Sequence, residues 1–253
     1  MPNIEQLLPT IPSLADATVL SQLTQGPISD KWLLDSAGQR IVLRADRPLA
    51  QTIGLRRDHE FAALQALAAA GWARPPVWAD TEAGLLAVDW VDGKAWTTEQ
   101  LQLPENLARL AMLLAELHST VADLPEFLLT ERLSGYAELV GTAEAMQRAA
   151  AASEWVLKMQ RSNNGFCLCH NDPVAGNVVE SDRLYFIDFE FSATGDPLFD
   201  LAAVIEHHHL NNSLANHFIS AYRLAGGRCE PDRLVVWRNI YRVTAWLWSA
   251  VIV

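Results

Sequence analysis

The chain has 253 residues, half of them hydrophobic, enough for one large domain or two small lobes with a substantial core. Lysine and arginine number 19 against 30 aspartates and glutamates, a net charge of −11 that argues against the basic face a nucleic-acid partner requires. Three cysteines are too few, and odd in number, for a disulfide framework, and they fit a reduced cytoplasm.

The opening MPNIEQLLPTIPSLADATVL lacks the basic stretch and unbroken apolar core of a secretory signal. Residues 4–14 instead predict a short helix around Pro9. Strands are expected at 19–23, 31–34 and 40–44, with turns at 24–29 and 36–38. Residues 58–70 place Phe61, Leu64 and Leu67 at helical spacing, and Gly71 stops the run. Two more strands are expected at 73–78 and 85–90. The segment Val88-Asp89-Trp90-Val91-Asp92-Gly93 then runs polar into a helical region. A boundary near Asp92 follows, giving units 1–91 and 92–253.

Beyond it the chain reads as mostly helical. Leu107, Leu110, Leu114 and Leu117 share one face of a core helix at 106–118. Residues 133–160 are alanine-rich and predict two helices broken near Gly141. Further helices are expected at 197–208, 213–225 and 233–252. His207, His208 and His209 diverge by about 100° each on a helix, so they cannot converge on one ion and read as helix surface. The longest apolar run, AWLWSAVIV at 245–253, is too short to span a bilayer.

The most informative stretch is LCHNDPVAGNVVESDRLYFIDFEFSATGDPLFDLA, residues 168–202. It reads as strand, tight loop, strand, turn, strand. Cys167 and Cys169 fall on one side of the first strand; buried packing is the expected role, with a metal site the alternative. A hairpin folding back after Asn177 can bring Asp188 beside the loop that holds Asp172. Three such oxygen donors suit Mg²⁺, a hard ion that takes few protein carboxylates. Asn177 and Asp188 would hold it, leaving Asp172 to orient a hydroxyl nucleophile. The spacing H-x-D-x-x-x-x-N followed by a D-F-x strand end matches the kinase catalytic and metal loops in order and register. Asp200 lies only twelve residues past Asp188, too close for a peptide-binding activation segment between them, so the acceptor should be small.

The motifs HNDPVAGN, IDFEF and GDPLFDLA resemble the family of choline/ethanolamine kinases, thiamine kinase and aminoglycoside phosphotransferases, from about Gln22 onward. The resemblance implies an α+β, two-lobed protein-kinase-like fold, with a small antiparallel-sheet N-lobe that binds nucleotide and a larger, mainly helical C-lobe. ATP and Mg²⁺ are the implied cofactors and Asp172 the catalytic base. Arg44 takes the place of the phosphate-binding lysine, steadied by Glu60. The turn at 25–30, with Ser29 in the phosphate-contacting place, holds only one glycine. Asp89 and Val91 stand at the adenine hinge. Asp200 is expected to tether the catalytic-loop backbone, and His170 to be a structural imidazole.

A cationic alcohol of the thiamine or choline kind is the expected acceptor, held by aromatic faces. Glu190, Asp196, Trp237, Trp246 and Trp248 are its candidate residues. The rival acceptor is an aminoglycoside or other amino sugar. A rival of another class is a catalytically inactive nucleotide-binding module, against which the intact Asp172, Asn177 and Asp188 argue. The expected location is cytoplasmic, with no nucleic-acid partner and no membrane span; oligomeric state leaves no trace in the sequence.

Overall fold

The computed structural model describes residues 4–161 and 165–252. The chain forms two compact units, Met1–Asp92 and Gly93–Val253.

The first unit opens with helical turns in place of the single predicted helix: α1 (Ile4–Leu7) and 3-10 turns at Leu8–Thr10 and Pro12–Leu14. Pro9 and Pro12 supply no N–H, so a continuous helix cannot run through them. Leu8, Ile11 and Leu14 are buried against an antiparallel sheet in the spatial order β1-β2-β3-β5-β4. Its strands are β1 (Thr18–Gln25), β2 (Ser29–Ser36), β3 (Gln39–Asp46), β4 (Pro76–Asp80) and β5 (Leu85–Asp89). Strand alternation turns Trp32 and Leu34, Ile41, Leu43 and Ala45, and Leu85 and Ala87 into one core. The β2–β3 hairpin closes through Ala37 (φ 53°) and Gly38 (φ 85°), the two left-handed residues a tight two-residue turn demands. Between β3 and β4 lie α2 (Pro48–Thr52) and α3 (Arg57–Ala69). The first of these, five residues opened by a proline, is too short to show periodicity and escaped the sequence reading.

The second unit begins with β6 (Lys94–Ala95), α4 (Thr98–Leu101) and α5 (Pro104–Ser119), followed by α6 (Leu129–Val140) and α7 (Ala143–Arg161). Gly141, at φ 71°, ends α6 in a left-handed cap and so splits the alanine-rich stretch in two. Ala145, Ala149, Ala152 and Val156 are buried along α7, small side chains that let α6 and α10 approach closely. Then come β7 (Cys167–Cys169), a 3-10 turn at Ala175–Asn177, β8 (Val178–Glu180), β9 (Leu184–Phe186) and β10 (Ala193–Gly195). Three helices finish the chain: α8 (Pro197–His207), α9 (Asn212–Leu224) and α10 (Pro231–Val251). Every residue of α8 from Leu198 to Ile205 is buried, as expected of a helix apolar nearly all round. It packs on α10, while α5 packs on α9. Two small sheets, β6-β8-β9 and β7-β10, carry the loops of interest. No helix of the described residues is long and apolar enough to cross a membrane.

Candidate active site

The loop between β7 and β8 is held from beneath by one buried carboxylate. Asp200, fully buried in the first turn of α8, accepts the backbone N–H of His170 at 2.8 Å through Oδ2 and that of Asn171 at 2.7 Å through Oδ1. His118, at the end of α5, adds an Nε2 contact of 3.1 Å to Oδ2. Three donors satisfy a charge that burial would otherwise make costly.

His170 is fully buried and sandwiched by Phe186 and Phe189, with ring centroids 4.9 and 5.0 Å away. Its Nε2 donates to the Ile187 carbonyl (3.1 Å), and its Nδ1 accepts the Asp172 N–H (3.2 Å). Both bonds require the neutral ring, and burial lowers its pKa in the same sense. One imidazole therefore ties the Asp172 loop to the strand that delivers Asp188.

The β8–β9 hairpin brings the two ends of the site together. Val178 pairs with Phe186, and one step further Ile187 N–H donates to the Asn177 carbonyl at 3.0 Å. Asn171 (φ 65°) and Asp188 (φ 64°) both adopt left-handed backbone, a conformation Asn and Asp tolerate better than most residues. The Asn177 amide Nδ2 donates to Asp172 twice, to Oδ2 at 2.9 Å and to the backbone carbonyl at 3.0 Å. Its carbonyl oxygen is thereby turned away from Asp172. Burial, reinforced by the charges of Asp188 and Glu190, raises the Asp172 pKa to about 7. An amide oxygen and clustered carboxylates are the donor set a hard divalent cation fits.

The loop has a second support that the sequence reading missed. His208 is buried, not on the helix surface; only His207 and His209 are exposed. Its Nδ1 donates to the Val204 carbonyl and its Nε2 accepts the Ala175 N–H, each at 3.1 Å. Burial depresses its pKa to about 4, so the ring stays neutral and keeps that acceptor. The triple histidine gave no hint of this, because α8 ends at His207 and the helical angle no longer applies.

In the first unit, Arg44 on β3 and Glu60 on α3 form a buried ion pair. Arg57, one turn before Glu60, binds the same carboxylate and also grips Asp46, 2.8 Å from Nε to both oxygens. The expected pair is thus part of a buried network of four charges. Ser29 lies buried at the start of β2 and is not part of the open turn; Asp30 beside it is paired with Arg47 at 2.7 Å. Asp89 ends β5 and accepts a hydrogen bond from Gln39, and Val91, half-buried, follows two residues later.

The candidate acceptor residues separate. Asp196 caps α8 through Leu198 N–H and is bound by Arg233 and by the Trp237 indole N–H at 3.0 Å. Trp237 is 3% exposed. These two are a helix-to-helix tie, which corrects their assignment to the acceptor. Trp246 carries the Arg148 guanidinium on its face at 4.5 Å, so the protein's own cation already occupies it. Trp248 is half-buried and packs against Tyr136 of α6, centroids 5.6 Å apart. Burial raises the Tyr136 pKa, the Arg132 guanidinium that reaches its hydroxyl at 3.5 Å opposes the rise, and the charges of Glu190 and Asp172 add to it. Tyr241 is likewise raised by burial and by Asp172. Tyr136 thus lies within electrostatic reach of Asp172 and Glu190, Tyr241 within reach of Asp172, and Trp248 stacks on the Tyr136 ring. On α10 this was legible from spacing: Tyr241 and Trp248 are seven residues apart and share a face, while Trp246 lies about 200° from Trp248.

The profile of the phosphotransferase enzyme family matches residues 19–233. Protein LicA of Haemophilus influenzae is 28% identical over 209 residues, covering 78% of this chain and 60% of that protein, so the match spans less than two thirds of that relative's length. The crystal structure of choline kinase LicA from Streptococcus pneumoniae has a TM-score of 0.79 at 19% identity, covering 98% of this chain and 89% of that one. LicA in complex with AMP gives 0.80 at 20% identity, over 98% and 88%. Likeness at such identity speaks for the fold, which is kinase-like, and the match over 19–233 speaks for descent: the chain belongs to the phosphotransferase enzyme family.

Proposed function

We propose that the chain is an ATP-dependent kinase, assisted by Mg²⁺, that phosphorylates the hydroxyl of a small cationic alcohol of the choline kind. One observation supports the acceptor reading: the charges of Asp172 and Glu190 reach Tyr136, the charge of Asp172 reaches Tyr241, and Trp248 packs on Tyr136. Aromatic faces beside carboxylates suit a quaternary ammonium, each ring contributing about 0.5–2 kcal/mol. The name LicA, shared by a sequence relative and by a solved choline kinase, supports the same acceptor.

In this reading Asp172 orients the acceptor hydroxyl and takes its proton as the phosphoryl group is transferred. Asn177 pins Oδ2 of that carboxylate, leaving Oδ1 for the hydroxyl. A pKa near 7 keeps the base available at neutral pH without making it too weak to accept a proton. Asn177 and Asp188 would hold Mg²⁺, which when bound offsets charge on the phosphate oxygens. Arg44, steadied by Glu60, would contact phosphate, and Asp89 and Val91 would border the adenine; Ser29, buried, has at most a backbone role. A cytoplasmic location is part of this reading, in keeping with three free cysteines.

The test is turnover of ATP with choline, ethanolamine, thiamine and an aminoglycoside. Choline should give the highest kcat/KM, and Tyr136→Ala and Trp248→Ala should raise its KM with little change in kcat. The carbon isostere of choline should bind worse by roughly 1–3 kcal/mol. Preference for thiamine or for the aminoglycoside would overturn the acceptor, and ATP binding without turnover on every alcohol would point to an inactive module.

A further inference from the structure

Among the described residues, one group of soft and borderline metal ligands converges outside the Asp172 site. Cys167 and Cys169 lie on the same side of β7, with sulfurs 4.0 Å apart. His118 of α5 offers a ring nitrogen such that all three ligand atoms lie within 4.8 Å of one another. Two thiolates on a tetrahedral ion, with bonds of about 2.3 Å, sit about 3.8 Å apart, so the sulfur pair is nearly preset. We propose that Cys167, Cys169 and His118 form a binding site for a soft divalent cation of the Zn²⁺ or Cd²⁺ class, distinct from the Mg²⁺ site.

The surroundings are those of a metal-ligating histidine. His118 Nε2 points at the Asp200 carboxylate at 3.1 Å, the outer partner that fixes ring orientation and makes the other nitrogen a better ligand. The other nitrogen, Nδ1, meets the Tyr222 hydroxyl at 2.7 Å, and that hydroxyl would yield its place to the ion. Burial above all, then the Cys167 hydrogen bond and the charges of Asp200 and Asp196, disfavours the Cys169 thiolate in the metal-free chain, and the same negative charge favours a cation. Cys169 is fully buried, while Cys167 is partly exposed and gives the ion its entry and an open fourth position for water. Binding forms two metal–sulfur bonds and one metal–nitrogen bond and releases both thiol protons to solvent; nothing is oxidised.

The reduced, metal-free chain is titrated with Cd²⁺ in excess Mg²⁺, following the ultraviolet thiolate-to-cadmium charge-transfer band. The band should saturate at one ion per chain, be reversed by Zn²⁺, and persist in Cys229→Ser. Cys167→Ser and Cys169→Ser should each weaken binding at least tenfold, and His118→Gln should weaken it less. Circular dichroism reports folding; if Cys169→Ser misfolds, the partly exposed Cys167→Ser decides. Absence of the band, its survival in Cys167→Ser, or its loss in Cys229→Ser overturns the site.

Discussion

Asp172 is held where its charge is costly, and the cost has a measurable pH signature. Its folded pKa of about 7 lies above the unfolded carboxylate value, so folding favours the protonated form. That contribution is complete below about pH 4 and is lost as pH rises through about 7. In Mg²⁺-free thermal melts Asp172→Asn should therefore be more stable than the parent near pH 8, by on the order of 2 kcal/mol, with the gap closing toward pH 4. A pH-independent gap would show that the raised pKa is wrong. The same variant should lose about 10²–10⁴ in kcat while ATP affinity changes little, because the carboxylate acts on the acceptor. His208 offers a second residue-scale test. His208→Ala strips the acceptor from the Ala175 N–H, two residues before Asn177. A loss of about 1–3 kcal/mol in urea unfolding is expected, together with a higher Mg²⁺ requirement for turnover. Unchanged Mg²⁺ dependence would confine His208 to stability.

The elements that matter most here are short and depend on close approach. β6 has two residues and pairs with β8, the strand that follows Asn177. Gly93 precedes it, and a Cβ there would lie 2.5 Å from the Glu180 carbonyl oxygen and 2.6 Å from Val179 Cγ1. Gly93→Ala must push β6 off β8 and should cost about 1–3 kcal/mol. Its signature would be faster amide exchange at Val179 and Glu180, with exchange in α7 unaffected. Gly84 plays a like part in the first unit, where a Cβ would strike the Asp46 carboxylate that Arg57 grips. α8 is tied to α10 at both ends, by Asp196 with Arg233 and Trp237, and by Glu206 with Arg238 and Arg242. The tryptophan read as a ligand surface is a bolt between two helices.

At the scale of the whole molecule the net charge of −11 bears on encounter more than on chemistry. A cationic acceptor approaching carboxylates should show kcat/KM that falls as salt rises, and its carbon isostere should show almost none of this. A polycationic aminoglycoside would show a much steeper fall. Equal salt dependence for choline and its isostere would remove electrostatic attraction from acceptor binding.

The sequence determined what depends on neighbours along the chain. The long helices followed from periodicity, and the break at Gly141 from a backbone freedom only glycine has cheaply. The β8–β9 hairpin was legible because its strands are adjacent, and register then carries Asp188 back beside Asn177. The kinase-like fold was expected from a family resemblance, and that resemblance was legible because the motifs from His170 to Asp200 are a local pattern. Tertiary structure decided the rest, since contacts between distant elements depend on how faces are rotated and packed. It inserted Arg57 into the Arg44–Glu60 pair, where side chains one turn apart on α3 meet the same strand. It carried His118 to Asp200 across 82 residues and turned His208 inward to the Ala175 amide. It also bonded Trp237 to Asp196 and packed Trp248 on Tyr136, because a helix offers a different partner at every 100° and only packing chooses which one arrives.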